Sequence, residues 1–239
     1  HSELKALEAD LQVVIAFRML PESVWDMPPL GTYNLHASLL PAYRGAAPIN
    51  WAIINGEKET GVTTFKLKHQ IDTGNIILQK KCLIDETDTA GTLHDKLMIL
   101  GTETMVETLT QIKNKRVKEQ PQDLNTAFKE APKLFHHNTD IDWNKSGQEI
   151  INFVRGLNPF PTAWCILDDK EVKVDEVAFE PVDSIQVGAV YSNFKNILAF
   201  GCKDGLIKLP SLKMQGKQKM DVQDFLNGYN LSHLEVKAL

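Results

Sequence analysis

Hydrophobic and polar positions divide the chain into two regions of different periodicity. Up to about residue 112, short apolar runs typical of strands alternate with segments in which apolar residues recur at helical spacing. Residues 13–17 form a continuous apolar run, which is typical of a strand buried on both faces of a parallel sheet. Strand and helix in alternation predict an α/β sheet domain.

Periodicity and turn residues together set the bounds of the elements in this first region. Gly56 follows a segment of helical spacing, where a glycine commonly stops a helix. Residues 92–112 carry apolar side chains on one face and predict a long amphipathic helix. The other predicted helices cover residues 2–9, 21–27 and 47–55, and the predicted strands cover residues 11–16, 32–37, 62–67 and 76–84.

Beyond residue 116 the pattern changes. Residues 116–138 are dominated by charged, polar and proline residues and predict a linker or surface arm. A further helix is predicted over residues 146–157. Short strands are predicted over residues 163–167, 171–178, 188–191, 197–200 and 206–212. Several short strands at this spacing predict a small β-barrel or sandwich.

Composition limits the function without identifying it. The 239 residues are 43% hydrophobic and 24% charged, which is the balance of a soluble globular protein with room for two domains. The three cysteines are far apart and form no Cys-x-x-Cys pair. We therefore expect no disulfide framework, no metal and a reducing, cytoplasmic location. The apolar runs are too short to span a membrane.

The formal net charge of −5 does not indicate a nucleic-acid-binding protein. Binding depends on local patches rather than on bulk charge, however. Basic residues cluster at 113–118 and again at 208–219. On composition alone, a solvated surface is the better interpretation of both clusters.

The densest group of candidate catalytic residues lies between residues 31 and 48. Asn34 and His36 are two positions apart in a predicted strand, so their side chains point to the same face. A second loop presents Asp72 beside a glycine. An amide and an imidazolium can stabilise a developing oxyanion, and a neighbouring carboxylate favours the charged imidazole. This set suits acyl transfer to a nucleophile that a substrate supplies.

Spacing alone leaves alternatives open. An Asn-x-His pair is common, and an Asp-Thr-Gly triplet is an ordinary turn. His69 and His94 could equally be the histidine that acts with Asp72.

Four segments taken together resemble the signature of the 10-formyltetrahydrofolate-dependent formyltransferases. They are Asn34-Leu-His36, Ser38-Leu-Leu-Pro41, the stretch from Tyr43-Arg-Gly45 to Pro48, and Ile71-Asp72-Thr-Gly74. The resemblance implies that Asn34, His36 and Asp72 are the catalytic trio and that 10-formyltetrahydrofolate is the formyl donor. It also implies a folate site formed by Ser38, Leu39, Leu40, Pro41, Phe17, Met19 and Leu20.

The second half of the chain resembles the carboxy-terminal OB-like domain of those family members that formylate methionyl-tRNA. The matching stretches are residues 141–143, 151–164, 209–212, 216–220 and 224–228. The resemblance implies that the formyl acceptor is initiator methionyl-tRNA, used in translation initiation, and that the protein is a monomer. It further implies that Lys213, Lys217 and Lys219 contact the tRNA backbone.

The resemblance implies an α/β fold: a partial Rossmann-like formyltransferase domain with a mainly parallel sheet, followed by an OB-like β-barrel domain. The expected domains are residues 1–115 (catalytic, incomplete at its amino terminus), 116–138 (linker) and 139–239 (OB-like, tRNA-binding). We expect the family's earlier βα units, which are not part of this sequence, to be required for activity. Two alternatives remain: formyl transfer to an amino-sugar nucleotide, and a non-catalytic OB-type RNA-binding protein.

Overall fold

The computed structural model describes residues 1–16, 19–70, 72–123 and 129–238. The chain divides into two compact units. The first unit comprises His1–Trp51, Lys58–Glu86 and Thr92–Lys133, and the second comprises Ala52–Glu57, Thr87–Gly91 and Leu134–Leu239. The helices of the chain are α1 Ser2–Ala6, α2 Glu22–Trp25, α3 Pro48–Ile54, α4 Ala90–Lys113, α5 Gly147–Leu157 and α6 Val222–Gly228.

A four-stranded sheet organises the first unit. Its strands are β1 Gln12–Val14, β2 Thr32–His36, β4 Glu59–Lys66 and β5 Ile76–Leu83, in the order β1-β2-β4-β5. A short strand pair lies apart from this sheet, with β3 Arg44–Gly45 parallel to β6 Glu130–Ala131. Helix α4 packs against the sheet at Gly101. A Cβ added at this glycine would lie only 2.7 Å from the side chain of Leu35 in β2, so the helix and the strand are in close contact there.

The prediction of a mainly parallel sheet is wrong for the described strands. Only β1 and β2 pair in parallel, whereas β2 with β4 and β4 with β5 are antiparallel. The connection between β4 and β5 covers only residues 67–75. It is shorter than the dozen or so residues that a parallel crossover needs, so these two strands form a hairpin.

The prediction that residues 13–17 are buried on both faces is also wrong where it can be examined. Val13 is 38% exposed and Ile15 is 56% exposed. Val13 lies in β1 and Ile15 directly follows it. Strand β1 is at the edge of the sheet among the described strands, and an edge strand is covered less than a central one. Phe17, from the same run and from the expected folate site, lies outside the described residues.

The second unit contains two sheets. One has five strands in the order β15-β10-β11-β12-β9, and the other has four in the order β14-β13-β8-β7. The bounds are β7 Ala163–Leu167, β8 Lys170–Val174, β9 Ala178–Pro181, β10 Val190–Ser192, β11 Leu198–Cys202, β12 Gly205–Lys208, β13 Ser211–Met214, β14 Met220–Asp221 and β15 Val236–Ala238. Across the described strands these pairings form two sheets and not one closed barrel.

Two of the strands predicted for this unit are each divided into two. The prediction over 171–178 becomes β8 and β9, and that over 206–212 becomes β12 and β13, in different sheets. Leu209 and Pro210 separate the second pair, and proline has no N–H to donate to a ladder. The core between the sheets includes Leu198, Phe200, Ile207 and Leu212.

The helices of the described ranges include none with the length and apolar character that crossing a membrane requires.

Candidate active site

Strand β2 carries two of the expected catalytic residues into one cavity. Asn34 and His36 are 5% and 7% exposed, and both line a cavity of about 780 Å³ in the first unit. Pairing of Asn34 with Phe65 and of His36 with Thr63 of β4 fixes the register that turns both side chains to this face. The period of two predicted from the sequence is therefore confirmed for this pair.

The ring of His36 is held between a backbone carbonyl and a carboxylate. Its Nε2 lies 2.8 Å from the carbonyl oxygen of Tyr43, and its Nδ1 lies 3.8 Å from Oδ2 of Asp72. Because a carbonyl oxygen only accepts, Nε2 carries a proton. The Nδ1 atom then faces the carboxylate of Asp72.

The carboxylate of Asp72 is itself positioned by the backbone. The N–H of Gly45 donates to its Oδ2 at 3.0 Å. Asp72 adopts a left-handed conformation with φ of 53°, which short polar residues tolerate better than most. This conformation turns the side chain from a surface loop towards His36.

The histidine that faces Asp72 is His36 rather than the other two candidates. His69 lines the same cavity, but its Nε2 pairs with Oε1 of Glu22 at 2.7 Å and its ring contacts Trp25 edge to face. His94 also lines the cavity, and its Nδ1 lies 3.2 Å from its neighbour Asp95. Long-range pairing therefore selects among histidines that spacing could not distinguish.

The cavity wall is mostly apolar with a few convergent polar groups, which is the character of a site for an organic ligand. The apolar wall includes Ile15, Met19, Leu20, Leu35, Leu97 and Met98. Oδ1 of Asn34 is buried without a hydrogen-bond partner among the described residues. No protein group at that atom fixes the amide, so it is able to turn either its oxygen or its NH₂ towards a bound group. These features fit a ligand that presents a carbonyl oxygen.

The expected folate residues fall into two groups. Met19 and Leu20 line the cavity, and Phe17 lies outside the described residues. Residues 38–41 are absent from the described lining of the cavity. Ser38 and Leu40 are buried, and Leu40 packs against Phe65 and Ile76.

Hydrogen bonds hold this Ser-Leu-Leu-Pro loop to the sheet. The hydroxyl of Thr63 donates to the carbonyl of Ser38 at 2.6 Å and accepts from the N–H of Leu40 at 3.2 Å. The side-chain amide of Gln79 donates to the carbonyl of Leu40 at 2.9 Å. The loop thus fixes the backbone that follows β2, without being part of the described cavity lining.

Among residues 1–16, 19–70, 72–123 and 129–238, no group of three or more His, Cys, Asp or Glu side chains is arranged to hold a metal ion.

Sequence reasoning missed two residues around Asp72. Nε of Arg44 donates to the carbonyl of Asp72 at 3.1 Å, and Gln122 donates to the same carbonyl at 2.8 Å. Burial lowers the pKa of Arg44, and the nearby charge of Asp72 acts in the opposite direction. Arg44 belonged to a recognised motif, whereas no local signal distinguished Gln122 within the segment predicted as a linker.

The three expected tRNA-contacting lysines lie on the surface of the second unit. Lys213, Lys217 and Lys219 are all exposed. Nζ of Lys219 is bonded to Oδ2 of Asp175 at 2.7 Å. Lys213 of β13 is directly opposite Lys173 of β8, and Lys173 is opposite Trp164 of β7, so these side chains form a row across the four-stranded sheet.

The chain matches two family descriptions. Residues 1–109 match the formyl transferase family, and residues 133–230 match the formyl transferase carboxy-terminal domain. Among solved structures, HypX from Aquifex aeolicus in complex with tetrahydrofolic acid superposes with a TM-score of 0.71 at 20% identity, covering 100% of this chain and 43% of that one. An N-formyltransferase from Helicobacter canadensis superposes with a TM-score of 0.61 at 22% identity, covering 85% of this chain and 71% of that one. Likeness at this identity shows a shared fold.

Sequence relatives are much closer than these structures. Methionyl-tRNA formyltransferase of Flavobacterium johnsoniae is 52% identical over 236 residues, which is 97% of this chain and 75% of that protein. The protein of the same name from Phocaeicola vulgatus is 49% identical, over 94% of this chain and 72% of that protein. Identity at this level across both halves shows that the chain belongs to the methionyl-tRNA formyltransferase family.

Proposed function

We propose that the protein transfers the formyl group of 10-formyltetrahydrofolate to the α-amine of initiator methionyl-tRNA, as a cytoplasmic monomer. One observation carries the proposal: His36 lies between the Tyr43 carbonyl and the Asp72 carboxylate, beside Asn34, at the wall of one cavity. The names of the relatives support this choice of acceptor.

Bound 10-formyltetrahydrofolate supplies the formyl group. A bond forms between the amine nitrogen of methionyl-tRNA and the formyl carbon, the bond from that carbon to the folate nitrogen breaks, and one proton passes from the amine to the folate nitrogen. Negative charge grows on the formyl oxygen during this exchange. Asn34 donates a hydrogen bond to that oxygen through its amide, and protonated His36 does so through Nδ1, since its Nε2 already donates to Tyr43. Such donors are the means by which enzymes commonly lower barriers to acyl transfer.

Asp72 has two tasks in this scheme. Its carboxylate lies 3.8 Å from Nδ1 of His36 and favours the protonated imidazole, because opposite charges in a buried site attract strongly. It also accepts, directly or through water, the proton that the attacking amine loses. A substrate supplies the nucleophile.

For the folate site, we propose that Met19 and Leu20, together with Phe17, contact the bound donor. Met19 and Leu20 support this assignment because they line the cavity that Asn34 and His36 share. Ser38, Leu39, Leu40 and Pro41 contribute by fixing the end of β2, and the burial of Ser38 and Leu40 supports that indirect role.

For tRNA, we propose a lysine surface in an OB-like domain of residues 139–239, joined by residues 116–138 to a catalytic domain of residues 1–115. Lys173, Lys213 and Lys217 define this lysine surface. Lys213 and Lys173 are in register with Trp164 on one sheet face, where both lysines are exposed and the half-buried Trp164 ring stacks on His136. Cations bind phosphates without regard to sequence. Lys219 contributes less because Asp175 already neutralises it.

The test measures formyl transfer from 10-formyltetrahydrofolate by the intact protein, as the cell makes it, to each of two acceptors in separate assays. We expect rapid formylation of methionyl-tRNA and negligible formylation of a nucleotide-linked amino sugar. The reverse preference would assign the protein to sugar modification. Tight tRNA binding with no formyl transfer to either acceptor would indicate a binding protein.

A further inference from the structure

The segment that the sequence predicts as a linker runs along the loops that hold the candidate catalytic residues. The N–H of Tyr43 donates to the carbonyl of Lys129 at 2.6 Å, and the N–H of Ala46 donates to the carbonyl of Ala131 at 2.8 Å. Gln120 and Ile76 exchange two backbone hydrogen bonds of 2.9 and 2.8 Å. Residues on both sides of the undescribed stretch 124–128 thus belong to the first unit and are hydrogen-bonded within it.

Within this segment, the side chain of Gln122 makes two hydrogen bonds to the Asp72 loop and a third to Arg44. Its Nε2 donates to the carbonyl of Asp72 at 2.8 Å and to the carbonyl of Gly74 at 2.8 Å. Its Oε1 accepts from the guanidinium of Arg44. Gln122 is only 9% exposed, so water competes poorly for these bonds.

Arg44 links the same network to the other side of the site. Its Nε donates to the carbonyl of Asp72 at 3.1 Å. The residues next to Arg44 in the chain bind the catalytic pair directly: the carbonyl of Tyr43 accepts from His36, and the N–H of Gly45 donates to Asp72. Gln122 therefore bonds the backbone of the Asp72 loop directly, and it bonds the side chain of Arg44, whose neighbours in the chain set the positions of His36 and Asp72.

We infer that Gln122 is a positioning residue that, together with Arg44, holds Asp72 in its left-handed conformation with its carboxylate facing His36. This inference rests on the proposed function. Aspartate tolerates a φ near 53° better than most residues but still at a cost, and two donors on the Asp72 carbonyl help to hold it there. The segment between the two halves of the chain is then part of the catalytic geometry rather than a passive connection.

The test compares Gln122→Ala and Gln122→Glu with the parent in the intact protein. Glutamate is nearly isosteric, but its carboxylate cannot donate to the carbonyls of Asp72 and Gly74. We expect kcat to fall about 10-fold to 100-fold in both variants, the range expected when a reacting group is misplaced by about 1 Å. The KM for each substrate should stay within about twofold, because neither substrate contacts Gln122 in the proposed scheme.

Gln120→Ala is the matched control. It removes the same kind of side chain from the same segment, but Gln120 is exposed and its pairing with Ile76 is through the backbone. We expect the Gln120→Ala variant to keep the kcat of the parent. If Gln122→Ala fails to fold, Gln122→Glu carries the test alone. Parental kcat in the folded Gln122→Glu variant would overturn the inference.

A double variant separates positioning from a general loss of structure. If Gln122 acts through Asp72, adding Gln122→Ala to Asp72→Asn should lower kcat by less than about threefold further, because residues acting as a unit are not additive. Equal losses in both backgrounds would overturn the inference. Failure of the proposed function looks different, since the parent itself would then not formylate methionyl-tRNA.

Discussion

The buried candidate catalytic cluster and the exposed lysine surface use charge in opposite ways. In the candidate cluster of Asn34, His36 and Asp72, the imidazole and the carboxylate each have a hydrogen-bond partner in the protein backbone. The lysine surface of Lys173, Lys213 and Lys217 carries its cations on a rigid sheet and turn, with the side chains in water. If the proposed roles are correct, geometry determines what the first region does, whereas local charge density determines what the second does.

The difference has an energetic basis. Electrostatic interactions in a buried site are weakly screened, so a small displacement of one group changes the interaction greatly. Exposed charges are screened within about 8 Å at physiological ionic strength, and each contributes roughly independently. The cluster should respond to mutation as a unit and ignore salt, and the surface should respond residue by residue and depend on salt.

The largest expected effect comes from removing members of the catalytic cluster. Asn34→Ala and His36→Ala should each lower turnover by about 100-fold to 1,000-fold, roughly 2.7–4 kcal/mol, the usual loss for one oxyanion donor. Asp72→Asn should cost as much or more, since the imidazolium then loses its neighbouring negative charge. Single-turnover assays at saturating substrate, with tRNA binding measured separately, are the check.

Combining His36→Ala with Asp72→Asn should cost far less than the product of the two single losses. Fully multiplicative losses, or single variants within about threefold of the parent, would show that these residues are not the reacting unit.

A smaller loss, in stability rather than turnover, is expected at the support beneath the site. Thr63→Val removes the hydroxyl that bonds Ser38 and Leu40, leaving a buried N–H and a buried carbonyl each without that partner. The free energy of unfolding should fall by about 1–3 kcal/mol. Thermal or urea denaturation measures this, and the KM for folate should change little. A rise in that KM without a loss of stability would instead mean that the Ser-Leu-Leu-Pro loop contacts folate directly.

On the lysine surface, replacing Lys173, Lys213 and Lys217 together with alanine should raise the KM for tRNA and leave kcat nearly unchanged. The slope of log KM against log salt should flatten by about 0.9 for each lost phosphate contact. Lys219→Ala is the internal comparison, and its change should be the smallest because Asp175 already pairs with that lysine. A salt slope equal to that of the parent would mean that these lysines are solvated and do not contact tRNA.

The smallest effect is expected at a half-buried carboxylate of the second unit, Asp168. Hydrogen bonds from Tyr229 and His233 lower the pKa of Asp168 below its ordinary value of 3.8. A lowered folded-state pKa stabilises the fold above the unfolded value, and that stabilisation disappears as the pH falls through the folded value. Tyr229→Phe should therefore be slightly less stable than the parent at pH 7, with the difference shrinking below about pH 4. Denaturation midpoints of the parent and of Tyr229→Phe at pH 7 and pH 3 test this expectation. A stability difference that grows in acid would contradict it.

Local pattern was enough to predict most elements of the chain. The helix predicted over residues 146–157 is present as α5, whose N-cap Ser146 forms a capping box with Glu149, and the strand predicted over 163–167 is β7. The alternation in β2 placed Asn34 and His36 on one face. Periodicity arises from geometry that repeats every two or 3.6 residues, so neighbours in the sequence carry it without help from the rest of the chain.

What the sequence could not decide were relations between distant segments. Strand direction was one, because the β4–β5 hairpin depends on which strands pair and not on the pattern within either strand. The choice of His36 over His69 and His94 was another, and Gln122 was a third, since its three contacts join segments about 50 and 78 residues away. Residue types and local periodicity identified Asn34, His36 and Asp72 as candidates. Only tertiary pairing brought Asp72 to His36, because chain folding alone sets the distance between side chains that are remote in sequence.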